Sequence, residues 1–255
     1  MATVRQINAL LDESAPQQLS EPWDNDGVML CANLDKEVKK VLFALEVRQS
    51  TAQYAAKNGF DLIITHHPLI FKPLSRIVDT NYKLFEALIK NGISVLSYHT
   101  RFDKASGGMN DALAALLELT DVTPLGEDGL GRIGSLPSEL TCAQFGLFAK
   151  EMLGCESVIM SRCDGGKKIK RAAVVGGAGK DYIYEAAKSG ADAFVSSEIP
   201  HHLLIEAEQL SLCVLDCGHY YTERIGARRL EQIVAAGFND IHTELYDVKS
   251  PYTCI

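Results

Sequence analysis

No stretch of this 255-residue chain approaches the roughly 20 apolar residues that a helix needs to cross a bilayer. The opening segment MATVRQINALLDE also lacks the apolar core and cleavage site of a secretory signal. Low-complexity tracts, heptad runs and tails of one charge are missing as well, so no part reads as coiled coil or disordered arm. The seven cysteines (Cys31, Cys142, Cys155, Cys163, Cys213, Cys217, Cys254) are odd in number, contain no CxxC pair and lie mostly in apolar contexts. They are expected to be reduced, largely buried thiols of a cytoplasmic protein, and a thiolate zinc site is not expected. A net charge of -8 argues against broad binding to nucleic acid or to an anionic membrane. One basic cluster, Lys167, Lys168, Lys170 and Arg171, reads as a solvated turn before a strand.

Familiar nucleotide and hydrolase signatures are absent too. Gly176-Gly177-Ala178-Gly179-Lys180-Asp181 comes near a phosphate-binding loop, but Val174 stands where its first glycine belongs and Asp181 replaces Ser or Thr. It also misses GxGxxG, with Tyr182 at the third glycine, and reads as a glycine turn after a strand. No GxSxG elbow occurs, and Cys217 reads as a buried strand-end thiol rather than a nucleophile.

What is present is an α/β pattern with an ordinary globular balance, 47% hydrophobic and 23% charged, in a length that suits one large domain or two smaller ones. Val4 to Leu11 has the spacing of an amphipathic helix. Short apolar runs at 41–45, 62–65 and 93–97, separated by helical stretches, imply βαβ units and a mainly parallel sheet covered on both faces. This pattern occurs twice. Tyr54 to Asp61 (YAAKNGFD) is echoed by Glu185 to Asp192 (EAAKSGAD), and the second copy has its own runs at 172–175, 193–196 and 212–216. The glycine in each copy suits a left-handed helix C-terminus. The Gly-, Pro- and acid-rich stretch 121–138 makes a plausible boundary, giving a first domain of 1–125 plus 225–255 and a second of 126–224.

The polar outliers fall at the carboxyl ends of these runs, where parallel α/β sheets collect functional groups. His66 and His67 follow the second run, His99 the third, and His219 the third run of the second copy. Asp103 and Glu223 lie four residues beyond His99 and His219, a spacing that keeps each pair close. Neighbouring His66 and His67 can converge only if the strand has ended before Pro68. Glu198, at the position of His67 in the second copy, reads as a general base or a group that orients a ligand, with a surface salt bridge as the alternative. Nitrogen and carboxylate donors without thiolate suit Zn, Mn, Fe, Co or Ni better than Ca or Mg.

Trp23-Asp24-Asn25, Thr65-His66-His67-Pro68, His99-Thr100 with Asp103 and Gly107-Gly108, and Gly218-His219 with Thr222-Glu223 together resemble the Nif-three-like (YbgI-type) dinuclear metal-centre family. Its members often carry the label GTP cyclohydrolase 1 type 2, and the similarity runs in order through nearly the whole chain. The resemblance implies two interlinked α/β domains with two divalent metal ions in the cleft between them, one domain carrying the HHP and HTxxD motifs and the other GHxxTE. By motif, His66, His67, Asp103, His219 and Glu223 match the ligands, Glu223 bridging both ions, and His99 matches a histidine close to the site.

It further implies a toroidal homohexamer, a small-molecule or nucleotide substrate, and metal-dependent hydrolysis, in its most specific form opening of the GTP imidazole ring at C8 with Glu198 or His99 moving protons. A phosphatase or phosphodiesterase, and a non-enzymatic metal-dependent interaction or metal-handling protein, stand as alternatives. Arg101-Phe102 and Ser196-Ser197-Glu198 depart from the commoner Asn-Leu and Thr-Gly-Glu, which leaves the ligands intact and bears on substrate preference. The compact length implies that the inserted domain of longer relatives is lacking.

Overall fold

The computed structural model describes residues 2–164 and 166–255. The chain divides into two compact units, Met1–Ser106 with Gly226–Lys249, and Gly107–Ile225 with Ser250–Ile255. Each is an α/β unit built on its own sheet.

The first unit opens with α1 (Val4–Ser14), which buries Val4, Ile7 and Leu11. Thr3 caps it: its hydroxyl accepts from the Gln6 amide while the Gln6 side chain accepts from the Thr3 amide, which fixes the start of the helix. Then follow β1 (Gly27–Leu30), β2 (Lys40–Ala44), α2 (Gln49–Asn58), β3 (Leu62–Thr65), α3 (Asp79–Lys90), β4 (Ser94–Ser97) and the short α4 (Thr100–Lys104). After the second unit the chain returns to add β11 (His242–Leu245). The sheet order is β1-β4-β3-β2-β11, parallel except where β1 meets β4. All four residues of β3 and of β4 are buried, as expected for parallel strands covered on both faces. Leu42, Ile63 and Val95 from three neighbouring strands pack with Ala52 and Ala55 of α2 and Leu88 of α3.

The second unit contains α5 (Met109–Leu116), β5 (Thr120–Leu125), β6 (Gly131–Thr141), α6 (Cys142–Leu153), β7 (Ile159–Met160), β8 (Lys168–Val174), α7 (Ile183–Lys188), β9 (Ala193–Ser196), α8 (His201–Gln209) and β10 (Cys213–Asp216), and its long segment Gly107–Ile225 ends within α9 (His219–Gly237). Its sheet order is β5-β6-β8-β9-β10-β7. Only β8, β9 and β10 run parallel; β5 with β6, β6 with β8, and β10 with β7 pair antiparallel. The expectation of a mainly parallel sheet therefore describes the first unit and the centre of the second, not the whole of the second.

The boundary also needs correction. Residues 121–138 lie inside the second unit: β5 and β6 pair from Thr120 with Ser135 to Leu125 with Gly131. The turn chemistry is confined to 126–129, where Gly126 and Gly129 have φ of +78° and +64°. Pro124 is tolerated because β5 is an edge strand, where a missing N–H leaves no ladder bond unmade. The division thus falls at Ser106/Gly107, and the last residues, Ser250–Ile255, belong with the second unit.

The repeat is present at the level of single hydrogen bonds. Asp61 Oδ2 accepts from the amides of Lys39 and Lys40 at 2.9 and 3.2 Å, and Asp192 Oδ2 accepts from those of Lys170 and Arg171 at 2.9 Å each. Each aspartate so ties the entry of the second parallel strand to that of the first. The preceding glycines, Gly59 and Gly190, take the left-handed conformation at φ of +67° and +75°. The likeness also goes beyond the residues that repeat. In each unit a short antiparallel strand that comes earlier in the chain borders the third parallel strand, β1 on β4 and β7 on β10.

Candidate metal centre

In the first unit the chain leaves β3 at Thr65, and the next two side chains are imidazoles. His66 is fully buried, and its Nδ1 lies 2.9 Å from the carbonyl oxygen of Tyr98. A carbonyl only accepts, so Nδ1 carries the proton and Nε2 keeps its lone pair. Nε2 lies 3.5 Å from Oδ1 of Asp103, itself buried on α4. His67, half-buried, puts Nδ1 2.9 Å from Glu46 Oε2, beyond the end of β2. His99 puts Nδ1 2.8 Å from Asp24 Oδ1. His66, His67 and His99 together offer three ring nitrogens within 4.8 Å of one another.

The carboxylates that hold these rings are ionised. Burial pushes the Asp24 carboxyl up, but hydrogen bonds and charge from His99, with two hydrogen bonds from Thr100, outweigh it and hold the group at about 2. Burial likewise pushes Glu46 up, and His67 and Arg48 bring it below the usual carboxylate range. An ionised partner on Nδ1 fixes the tautomer and turns the Nε2 lone pair outward, the arrangement in which imidazole binds a divalent ion.

The second unit supplies a histidine between two acids. His219, the first residue of α9, has Nδ1 2.8 Å from Glu198 Oε1 and Nε2 2.8 Å from Glu223 Oε2, one helical turn on. Glu223 is only 4% exposed. A neutral ring cannot donate from both nitrogens, so this triad holds a further proton, on the ring or on an acid, or a metal ion. Glu198 occupies a left-handed backbone position, φ +56°, uncommon for a residue with a side chain and frequent at functional sites. The glycine turn after β8 closes over the triad: a Cβ on Gly177 would lie 2.1 Å from Glu223 Oε1 and 3.2 Å from the His219 ring. With φ at +64°, this position admits glycine alone without rearrangement. Ser196 and Ser197 bond to the Gly177 carbonyl and Thr222 accepts from its amide, which fixes the turn.

All seven candidate residues thus sit in two sets, His66, His67, His99 and Asp103 in the first unit, and Glu198, His219 and Glu223 in the second. The spacing i,i+4 gives a direct contact for His219 and Glu223, whereas the ring of His99 goes to Asp24 and Asp103 goes to His66. Three features escaped the sequence: the acids Glu46 and Asp24 as partners of imidazoles, the role of Gly177, and the aromatic surround. Trp23 and Phe71 are exposed, 6.1 Å apart, each edge-on to the His99 ring. Arg101, one of the departures from the family pattern, is buried, pairs with Asp12 at 2.7 Å and Asp26 at 3.2 Å, and lies over the Tyr98 ring. Among the described residues no helix is long and apolar enough to cross a membrane.

Fold and site together define a mixed α/β protein of two related units whose His and Glu groups can hold a metal ion. The model of the Duf34/NIF3 (NGG1p interacting factor 3) family matches residues 2–251, and the chain belongs to that family. It is 32% identical over 236 residues to a GTP cyclohydrolase 1 type 2 homolog of Methanocaldococcus jannaschii, covering 92% of this chain and 96% of that one. Among solved structures, reduced HcgD of the same organism gives a TM-score of 0.84 at 32% identity, over 96% of this chain and 97% of that one. A Staphylococcus aureus hypothetical protein gives 0.92 at 26% identity, over 99% of both chains.

Proposed function

We propose that the chain is a dinuclear metal-dependent hydrolase, in which His66, His67, Asp103, His219 and Glu223 would hold two divalent cations drawn from Zn, Mn, Fe, Co or Ni. One observation carries this reading: the Nδ1 of every candidate imidazole is engaged by a carboxylate or a carbonyl oxygen, which leaves Nε2 to bind an ion, in His66 and His219 beside the carboxylates of Asp103 and Glu223. When bound, such a cation pair lowers the pKa of water and polarises the bond under attack.

The chain's own residues do the rest. Glu46 and Glu198 hold His67 and His219 in register. His99, backed by ionised Asp24, moves a proton at Nε2, and Glu198, largely exposed, exchanges protons with solvent. Trp23 and Phe71 supply an aromatic wall that suits a flat heterocycle. That wall and the description of relatives as GTP cyclohydrolase 1 type 2 homologs favour GTP, opened at C8 of its imidazole ring. The proposal extends to a toroidal homohexamer working in the cytoplasm.

The test combines elemental analysis with product analysis by mass spectrometry on wild type and Glu223→Ala. We expect about two ions per chain in wild type, as in two-metal hydrolases, a sharp fall in the variant, and ring-opened GTP only in the former. A wild-type chain that takes up no Mn, Fe or Zn would defeat the metal centre. Metal without turnover of any nucleotide or phosphoester would leave a metal-handling protein, and equal turnover of GTP, ATP and simple phosphoesters would mark a phosphatase.

A further inference from the structure

Cys142, Cys163 and Cys213 are far apart in the chain, yet the second unit brings their Sγ atoms within 4.8 Å of one another. Cys142 is the first residue of α6, behind the Thr141 cap; Cys163 follows β7; Cys213 opens β10. The Cys142 thiol points to the Lys167 carbonyl and that of Cys163 to the Ser161 carbonyl. Cys142 and Cys213 are buried, while Cys163 is half-buried and lines a surface cavity of about 810 Å³ with Met160, Arg162 and Lys167. Burial pushes the Cys142 and Cys213 thiols above the usual range, which rules both out as ready nucleophiles.

Sulfur atoms converging from three separate elements form a donor set, and its softness decides what it takes. Thiolates select Cu(I) and other thiophilic ions, whereas the imidazole and carboxylate groups described above suit borderline and harder ones. We propose that Cys142, Cys163 and Cys213 form a three-thiolate site for one soft cation, with Cu(I) as the fitting probe. Three sulfurs complete a trigonal shell around Cu(I) with no fourth ligand. Each thiol releases its proton to solvent as its S–metal bond forms, so no electron changes hands. Lys167, whose charge already acts on Cys142, offsets part of the excess negative charge, while Arg162 at the cavity is balanced by the acids Asp164 and Glu208. The cavity beside Cys163 is the path of entry.

Anaerobic titration of the whole chain with Cu(I), against a chromophoric Cu(I) chelator, tests this. We expect one tightly held ion per chain whose affinity falls roughly 100-fold in Cys163→Ser, as for loss of a metal-site group. Cys254→Ser, exposed and outside the cluster, keeps that ion. Iodoacetamide is expected to label Cys163 in the metal-free wild type and to fail once one equivalent of Cu(I) is present. This second measurement decides the matter should Cys163→Ser fold poorly. No tightly held ion in wild type, equal retention by Cys163→Ser, or unchanged labelling of Cys163 in the presence of Cu(I) would overturn the proposal.

Discussion

Just beyond its first parallel strand the first unit has Glu46, and the second unit has Gly177 in the same place; one strand over, His67 corresponds to Glu198. In the first unit the acid after the first strand holds the imidazole after the second. In the second unit the acid after the second strand holds an imidazole after the third, His219, and the glycine after the first leaves room for Glu223. The supporting backbone is unchanged: Asp61 and Asp192 bind the same pair of amides, and Gly59 and Gly190 make the same turn. Scaffold and chemistry have therefore varied separately, because strand-end side chains lie outside the ladder and can change without disturbing it.

The sharpest way to break this comparison is to remove one donor from each unit. His66→Ala and Glu223→Ala are each expected to lower divalent-metal affinity by at least ~100-fold, or ~2.7 kcal/mol, read by chelator competition. Full metal retention by either variant would place that unit outside the centre. A smaller effect, ~10–100-fold, is expected on losing the acid behind each ring, in Glu46→Ala and Glu198→Ala. The first should cost more, because the Glu46 side chain is 25% exposed and that of Glu198 59%, so water can replace Glu198. Calorimetric titration giving the reverse order would show that exposure is not the deciding factor.

The shared scaffold is tested by stability rather than by metal. Asp61→Ala and Asp192→Ala each leave two strand-entry amides without their acceptor, at about 2 kcal/mol in urea unfolding. Unequal losses would mean that the two aspartates are equivalent only in sequence. The smallest effect, about 1 kcal/mol, is expected for Gly59→Ala and Gly190→Ala. An added Cβ meets nothing within 4 Å at Gly59 and only an ordinary contact at Gly190, so backbone strain alone is measured.

Much of this was legible in the sequence. Runs 62–65 and 193–196 are β3 and β9 as read, because a short apolar segment between turn residues has few other ways to be buried. The i,i+4 spacing gave the His219–Glu223 contact because α9 begins at His219. The partners of His99 and His67 were not legible: Asp24 is 75 residues from His99 and Glu46 is 21 from His67, and nothing in local spacing reports a contact made by folding. The antiparallel pair β5–β6 was hidden because Gly, Pro and acidic residues signal a linker and a tight turn alike.

The parallel pairing of β11 with β2 also governs the order of assembly. Thr243 joins Val41 only after Gly107–Ile225 of the second unit has been synthesised between them. Closing so long a loop adds little to the equilibrium cost, since each doubling of length costs only ~0.6 kcal/mol. It does, however, leave the β2 edge of the nascent first sheet without its neighbour while the ribosome makes the chain from Val41 on to Thr243. An exposed strand edge invites foreign pairing. A chain stopped short of His242 would thus bear the same open edge permanently, and a defect near the C-terminus would show itself as aggregation of the N-terminal half.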